Sequence, residues 1–482
     1  MIAAILPVFC VALLLIFLVL TRGGKNLAEH LLVWSFITPA IVLNIFQINQ
    51  TDASGNSFKS SFIRIASTMV FPIIFLLLSY QFQRRIIEYT NRLKIFLASW
   101  FIIFFLEIIQ VLFLKNKAVT FFGITSFFIL FLIVVFFDLD FLSLARKSRD
   151  MGFLLALLTI AGYLTKFNFE TSLVAGGGNT ITVAGHVIDL SKYAGGASTA
   201  SVNRFTPFNK ILGINGRGSG FFTDGGPQEM GPYFGFIACL ALIGPLKKFD
   251  YFKLAIIFIV GSTTGSRTFL EVFFVGLVVK LSISITQRVQ TSNSWRFTLF
   301  TTFSLFLLAY NLISAVIAGI THAAVAQYGA AAATAATAQN IQSFSGRLPL
   351  WGFILNQWLN VFTPFQKLFG YGPQTLGPIA EAHFNQPAYG HAHNALLQYF
   401  WDFGILGGVC FLIIQFSVIN LLFKKKKNIQ MLILCLSLLS LQTEVFFTTN
   451  ILVAPTMIFW WLATVAVFDS YTKRSTISEV VT

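Results

Sequence analysis

The stretch GHAHNALLQYFWDFGILGGVCFLIIQFSVINLL, residues 390–422, sets an apolar run of bilayer-crossing length directly behind a cluster of polar side chains. A helix beginning near His393 and running inward places Asn394, Gln398 and Asp402 at i, i+4 and i+8, on one face. Gly404 and Gly408 fall roughly opposite, where small residues let a neighbouring helix approach closely. Ionisable groups inside a membrane protein are costly, so Asp402 is a functional candidate. The structural alternative is an N-cap made by Asn394 and an interhelical hydrogen bond from Asp402.

Working outward, the whole chain has this character. Of 482 residues, 56% are hydrophobic and 11% charged, against the roughly 25% charged that a soluble domain carries. Apolar runs near the ~20 residues needed to cross a bilayer recur throughout. The expected fold is all-α, a polytopic transmembrane helical bundle of about 12–13 spans and a single integral membrane domain over 1–482. Spans are expected near 2–20, 30–48, 65–82, 95–113, 118–140, 151–167, 233–246, 251–262, 268–286, 297–320, 395–422, 429–447 and 450–468. Arg22 and Lys25 follow the first run and no basic residue precedes it, the reverse of a cleavable signal, so a retained helix with an external N-terminus is expected. All four cysteines fall in apolar runs and define no disulfide framework.

The net charge of +15 sits in short clusters between apolar runs, such as RKSR (Arg146 to Arg149) and KKKK (Lys424 to Lys427). That pattern marks a cytoplasmic face and does not suggest nucleic acid. Two external segments are long, 168–232 and 321–394, and are expected to contain short helices. Both exceed the ~12–15 residues beyond which a loop is usually functional or disordered. In the second, SGRLPLWGFILNQWLN reads as an amphipathic helix and GYGPQTLGP as a turn-rich connection.

External arginines are few. Arg217 lies in a glycine-rich segment, Arg267 in GSTTGSRT and Arg347 in SGRLPLW, all on one side by this topology. They could anchor to lipid headgroups, but guanidinium groups with glycine and serine beside them also suit an anion such as phosphate. His391 and His393 carry three readings. With His383 and Glu381 they could bind a metal, yet helical geometry points them apart and the chain has no HExxH or Cys/His grid, so no metal is expected. A histidine at the mouth of a polar cleft also suits removing a proton from a sugar hydroxyl. The third reading is simple residence at the membrane interface. Glu107, Asp138, Asp140, Glu271 and Glu444 lie in or near spans, and Asp224 and Glu229 share a loop with Arg217. No Walker loop, dinucleotide fingerprint or nucleophile elbow is present, so no cofactor is expected and the substrate should arrive already activated.

His393 followed by NALLQYFWDFGILG resembles the signature of the O-antigen ligase and O-antigen polymerase superfamily, in which HN precedes LQ, an acidic residue and two glycines. The family more often carries glutamate where this chain has Asp402. GRGSGFFTDGGPQEMGPYFG is similar to the family's external arginine motif, and GSRTFL and SGRLPLW resemble its SR and GR elements. The resemblance covers roughly residues 210–410. It implies an inverting, metal-independent glycosyltransferase at the periplasmic face of the bacterial inner membrane, using glycan on undecaprenyl pyrophosphate. It further implies His393 as base on the acceptor hydroxyl, with Arg217, Arg267 and Arg347 on pyrophosphate. Asp224, Glu229, His391, Asn394, Gln398 and Asp402 would support them. The donor, a glycan acceptor, membrane lipid and a chain-length regulator are the expected partners. Polymerisation of repeat units into O-antigen or another surface polysaccharide is expected first. Ligation to lipid A-core or another acceptor is the alternative, and a polysaccharide or ion transporter a second.

Overall fold

The computed structural model describes residues 25–35, 90–111, 128–164, 180–183, 186–189, 208, 211–212, 227–243, 246–264, most positions of 269–280, 347–373, 375–384, 392, 394–423 and 454–471. The chain divides into two compact units, one of Met1–Met151 with Trp358–Thr482 and the other of Gly152–Gln357. The described elements are helical apart from one antiparallel pair, β1 (Thr180–Val183) and β2 (His186–Asp189), with Thr180 opposite Asp189 and Val183 opposite His186. This small hairpin, in the first long loop, departs from the all-α expectation. Alternating Thr, Ile, Thr, Val suits a strand better than a helix, because β-branched side chains lose rotamer freedom in helices.

Two described helices are long and apolar enough to cross a membrane, over Asn91–Gln110 and Ala395–Val418. They correspond to the runs expected near 95–113 and 395–422. Shorter apolar helices cover Met230–Ala241 and Ile458–Ser470, within or beside the runs expected near 233–246 and 450–468. The runs at 2–20, 65–82, 297–320 and 429–447 lie outside the described residues.

In the first unit, α1 (Lys25–Ser35) and α2 (Asn91–Val111) precede α3 (Phe141–Leu164), whose opening half belongs here. The Thr90 hydroxyl accepts from Leu93 N–H at 3.3 Å and caps α2. Along α2, Leu93, Phe96, Leu97, Trp100, Ile103, Phe104 and Glu107 are buried, a stripe at helical spacing. Ile95, Phe101, Ile102 and Phe105 face outward, so the outer face is apolar as well, as a lipid-facing helix requires. Trp100 stacks on Phe104 with ring centres 5.6 Å apart.

Between Arg347 and the C-terminus lie α6 (Arg347–Asn356), a π-helical turn Gln357–Val361, α7 (Pro364–Phe369), α8 (Leu376–Phe384), α9 (Ala395–Ile419) and α10 (Ala454–Tyr471). The helix expected in SGRLPLWGFILNQWLN is therefore present, ending in a π turn. α9 packs along α2 and against α7. Tyr399 lies flat on Phe411 at 4.2 Å, and Phe411 meets Trp460 of α10 at 5.3 Å.

The second unit holds α4 (Pro227–Ala241) and α5 (Lys248–Thr263), which pack together. α4 is enclosed from Met230 onward, with Tyr233, Phe234 and Phe236 through Leu242 buried. Glycines make the close approaches: a Cβ on Gly235 would meet Val272 at 3.1 Å.

In the first unit, Glu29 of α1 and Lys147 of α3 form a buried ion pair, with Ser143 Oγ donating to the same Glu29 oxygen at 2.6 Å. Breaking one side of a buried pair leaves a charge without its counterpart, at a cost of about 3–5 kcal/mol. Lys147→Met should therefore lower the thermal midpoint of the purified protein sharply. The Glu29→Gln/Lys147→Met double variant should recover most of that loss in the same melt.

Candidate functional site

α9 is broken. Gly404 has φ 63° and ψ −155°, a backbone conformation that L side chains rarely adopt, and the helix resumes beyond it. A break inside an apolar bundle strands backbone carbonyls that must find donors elsewhere. The Trp401 carbonyl accepts from Tyr371 N–H at 2.7 Å. The Asp402 carbonyl accepts from Gly372 N–H at 3.2 Å and from Gln110 Nε2 at 2.7 Å. Gln110 also donates to the Phe369 carbonyl at 2.9 Å, tying the end of α2 to the end of α7 and to the break.

That junction needs glycines on both sides. α7 opens with a capping box between Thr363 and Gln366 and closes at Gly370, whose φ is 86°. A Cβ on Gly370 would sit 2.2 Å from the Asp402 carbonyl, and one on Gly404 would sit 2.5 Å from the Leu368 carbonyl. The two backbones therefore meet almost atom to atom. Gly404 does allow close approach, as the sequence suggests, but to the end of α7. Gly408 serves its own helix: a Cβ there would meet the ring of Phe400, on the other side of the break, at 2.7 Å. GYGPQTLGP forms the turn-rich link, with positive φ at Gly370 and Gly372, and Thr375 Oγ1 accepts from Trp401 Nε1 at 2.9 Å.

N-terminal to the break runs a line of polar groups. Asn394, with φ −153° and ψ 112°, is the N-cap of α9 and accepts from Leu397 N–H at 3.2 Å. Gln398 and Asp402 have no exposed surface. Gln398 Nε2 donates to both carboxylate oxygens of Asp402, at 2.9 and 3.0 Å, while its Oε1 accepts from Ala392 N–H at 2.8 Å. The expected i, i+4, i+8 stripe is thus one connected network from the helix mouth to the break. The interhelical bond at Asp402 uses its backbone carbonyl, and the side chain turns to Gln398. Glu107 lies close enough to Asp402 to feel its charge, and its buried Oε1 has no hydrogen-bond partner among the described residues.

The other candidates are placed less fully. His391, His393, Arg217, Arg267 and Asp224 lie outside the described residues. Arg347 is the first residue of α6, and Glu229 lies in the first turn of α4. His383 is exposed near the end of α8. Among the described residues no group of three or more His, Cys, Asp or Glu is arranged to hold a metal.

The polar network and the break at Gly404 fall inside residues 252–412, which match a family model described as O-Antigen ligase. This segment resembles the O-antigen ligase and polymerase superfamily. Comparison with curated proteins finds no match. The O-antigen ligase segment takes in Arg267, Arg347, His391, His393, Asn394, Gln398 and Asp402, whereas Arg217, Asp224 and Glu229 precede it. That family implies a glycosyltransferase-like enzyme of polysaccharide biosynthesis that acts on lipid-linked glycans.

Sequence reading missed Gln110, which lies outside the matching segment, and Gly370, which lies inside it. Gln110 carries a faint signal, an amide at the end of an otherwise apolar span. Gly370 carries one in the pairing of Gly370 with Gly372 just after a short helix.

Gly404→Ala should be poorly tolerated, since it combines a positive φ with a backbone clash. A loss of about 2–3 kcal/mol or more is expected, read as a lowered melting midpoint. Gln110→Leu should cost about 1–3 kcal/mol by withdrawing a donor from two buried carbonyls, whereas Gln110→Asn should restore little because its amide is one methylene short.

Proposed function

We propose that the protein is a membrane glycosyltransferase that polymerises lipid-linked repeat units, taking a glycan from undecaprenyl pyrophosphate at the periplasmic face of the bacterial inner membrane. The observation that carries this reading is the buried Gln398–Asp402 pair below the Asn394 cap, at the mouth of a broken span, within the matching segment and close in the chain to His393. Apolar helix faces toward lipid suit a substrate with a polyprenyl tail, and polar groups gathered at one helix mouth suit its sugar head.

In this reading His393 takes the proton from an acceptor hydroxyl as that oxygen attacks the anomeric carbon. The bond from that carbon to the pyrophosphate oxygen breaks, and the configuration inverts in a single displacement. Negative charge grows on the departing pyrophosphate. Arg217, Arg267 and Arg347 are assigned to it, because fixed guanidinium groups stabilise such charge more in the transition state than in the ground state. The activated donor supplies the driving force, so no nucleotide and no metal are needed. His391, Asp224 and Glu229 are assigned supporting roles, and a chain-length regulator is a further expected partner. The two long loops, 168–232 and 321–394, would form the periplasmic side of one membrane domain.

Ligation to lipid A-core or another acceptor is the second reading, favoured by the description of the matching family. A deletion strain separates the two. Loss of a polymerase leaves surface lipid with at most one repeat, and loss of a ligase leaves polymer on its carrier.

Reconstitution with a defined polyprenyl pyrophosphate oligosaccharide tests the chemistry itself. His393→Ala should slow release of carrier by about 10²–10⁴-fold, and Arg347→Ala by about 10²–10³-fold. Unchanged turnover of the His393 variant would exclude its role as base. Uptake or export that depends on Asp402, with glycan transfer absent, would favour a transporter.

A further inference from the structure

Gln398 reaches both neighbours of position 393, one through its side chain and the other through its backbone N–H. Gln398 Oε1 accepts from the backbone N–H of Ala392, which is fully buried, and Gln398 N–H donates to the Asn394 carbonyl at 3.0 Å. Asn394 is itself fixed as the N-cap. In the chain, His393 is the single residue between these two anchored positions.

Chemistry fixes which way the Gln398 amide points. A carboxylate accepts hydrogen bonds and cannot donate, and a peptide N–H donates and cannot accept. With Asp402 below and Ala392 N–H above, Nε2 must face the carboxylate and Oε1 must face the peptide. We propose that Gln398 and Asp402 are positioning residues: the Asp402 carboxylate orients the Gln398 amide, and that amide holds the segment bearing His393 at the mouth of α9. Asp402 is in turn fixed through its backbone, where Gln110 and Gly372 secure the carbonyl at the break. The chain of bonds from α2 through the broken helix to residue 392 is continuous, and its members within α9 are fully buried.

This inference rests on His393 acting as the base. Its test therefore needs one readout of catalysis and one that does not depend on it. In the reconstituted transfer assay, Gln398→Met should lower kcat about 10–100-fold while leaving KM for the donor within about twofold, as expected when a reacting group drifts by about an ångström. Asp402→Leu should behave alike. The double variant should fall no further than the worse single one, because both remove the same link. Asp402→Asn keeps an oxygen for Gln398 Nε2 and should recover most of what Asp402→Leu loses. Gln398→Asn, too short to reach both partners, replaces Gln398→Met if the latter fails to fold.

Backbone amide exchange on the full-length protein in detergent supplies the independent readout. The Ala392 amide should be protected in the unsubstituted protein and lose that protection in Gln398→Met. Losses that add in the double variant would overturn the proposal, as would Asp402→Asn falling as far as Asp402→Leu or an Ala392 amide equally exposed with and without Gln398. Absence of glycan transfer by the unsubstituted protein would remove the proposed function instead, and exchange at Ala392 would still decide whether Gln398 holds the segment.

Discussion

The broken helix depends on hydrogen bonds to two carbonyl oxygens, those of Trp401 and Asp402. A span that bends at Gly404 loses part of its internal ladder, and in an apolar surround a carbonyl without a donor is expensive. Donors are supplied by Tyr371, Gly372 and Gln110. For those donors to arrive, α7 must end beside the break, the chain must turn there through positive φ, and neither backbone can carry a side chain at the crossing. Gly370 and Gly404 meet that requirement together, and replacing either one leaves the other without purpose. The polar end of α2 follows from the same constraint, because Gln110 needs carbonyls to bind as much as they need a donor.

The break also gives the site its stiffness. A straight helix transmits position through its own ladder, whereas a bent one must be held from outside. Here the outside support reaches Asp402 through its backbone, and the side chain of the same residue faces the helix mouth. Asp402 therefore joins two tasks in one residue: its carbonyl belongs to the fold, and its carboxylate belongs to the network beneath the histidine segment. Groups fixed this way lose little entropy when a substrate arrives, which is the condition for productive alignment.

Much of this was legible in the chain, and for identifiable reasons. Asn394 as a cap and the spacing of Gln398 and Asp402 are local, set within a few residues by helix geometry, so reading them required no partner. Gly404 was legible as a residue of close approach, but not as a break, because glycine is common in membrane helices that stay intact. Gln110 stood out only as an amide at the end of an apolar span, not as a member of the site: its partners at Phe369 and Asp402 lie far along the chain, and periodicity carries no information about such pairings. The hairpin in the first long loop was hidden by its setting, since four-residue strands among glycines and threonines give a period-2 signal too short to separate from coil.

The two acids on facing helices are not equivalent. Both carboxylate oxygens of Asp402 accept from one amide nitrogen on its own helix at i−4, which offsets much of the cost of burying a carboxylate. Glu107 has an oxygen with no such donor among the described residues. A carboxylate that must reach back to i−4 on the same helix needs little length, and aspartate supplies it while keeping the charge close to its own backbone. The short arm thus keeps Asp402 committed to Gln398, and through it to Ala392.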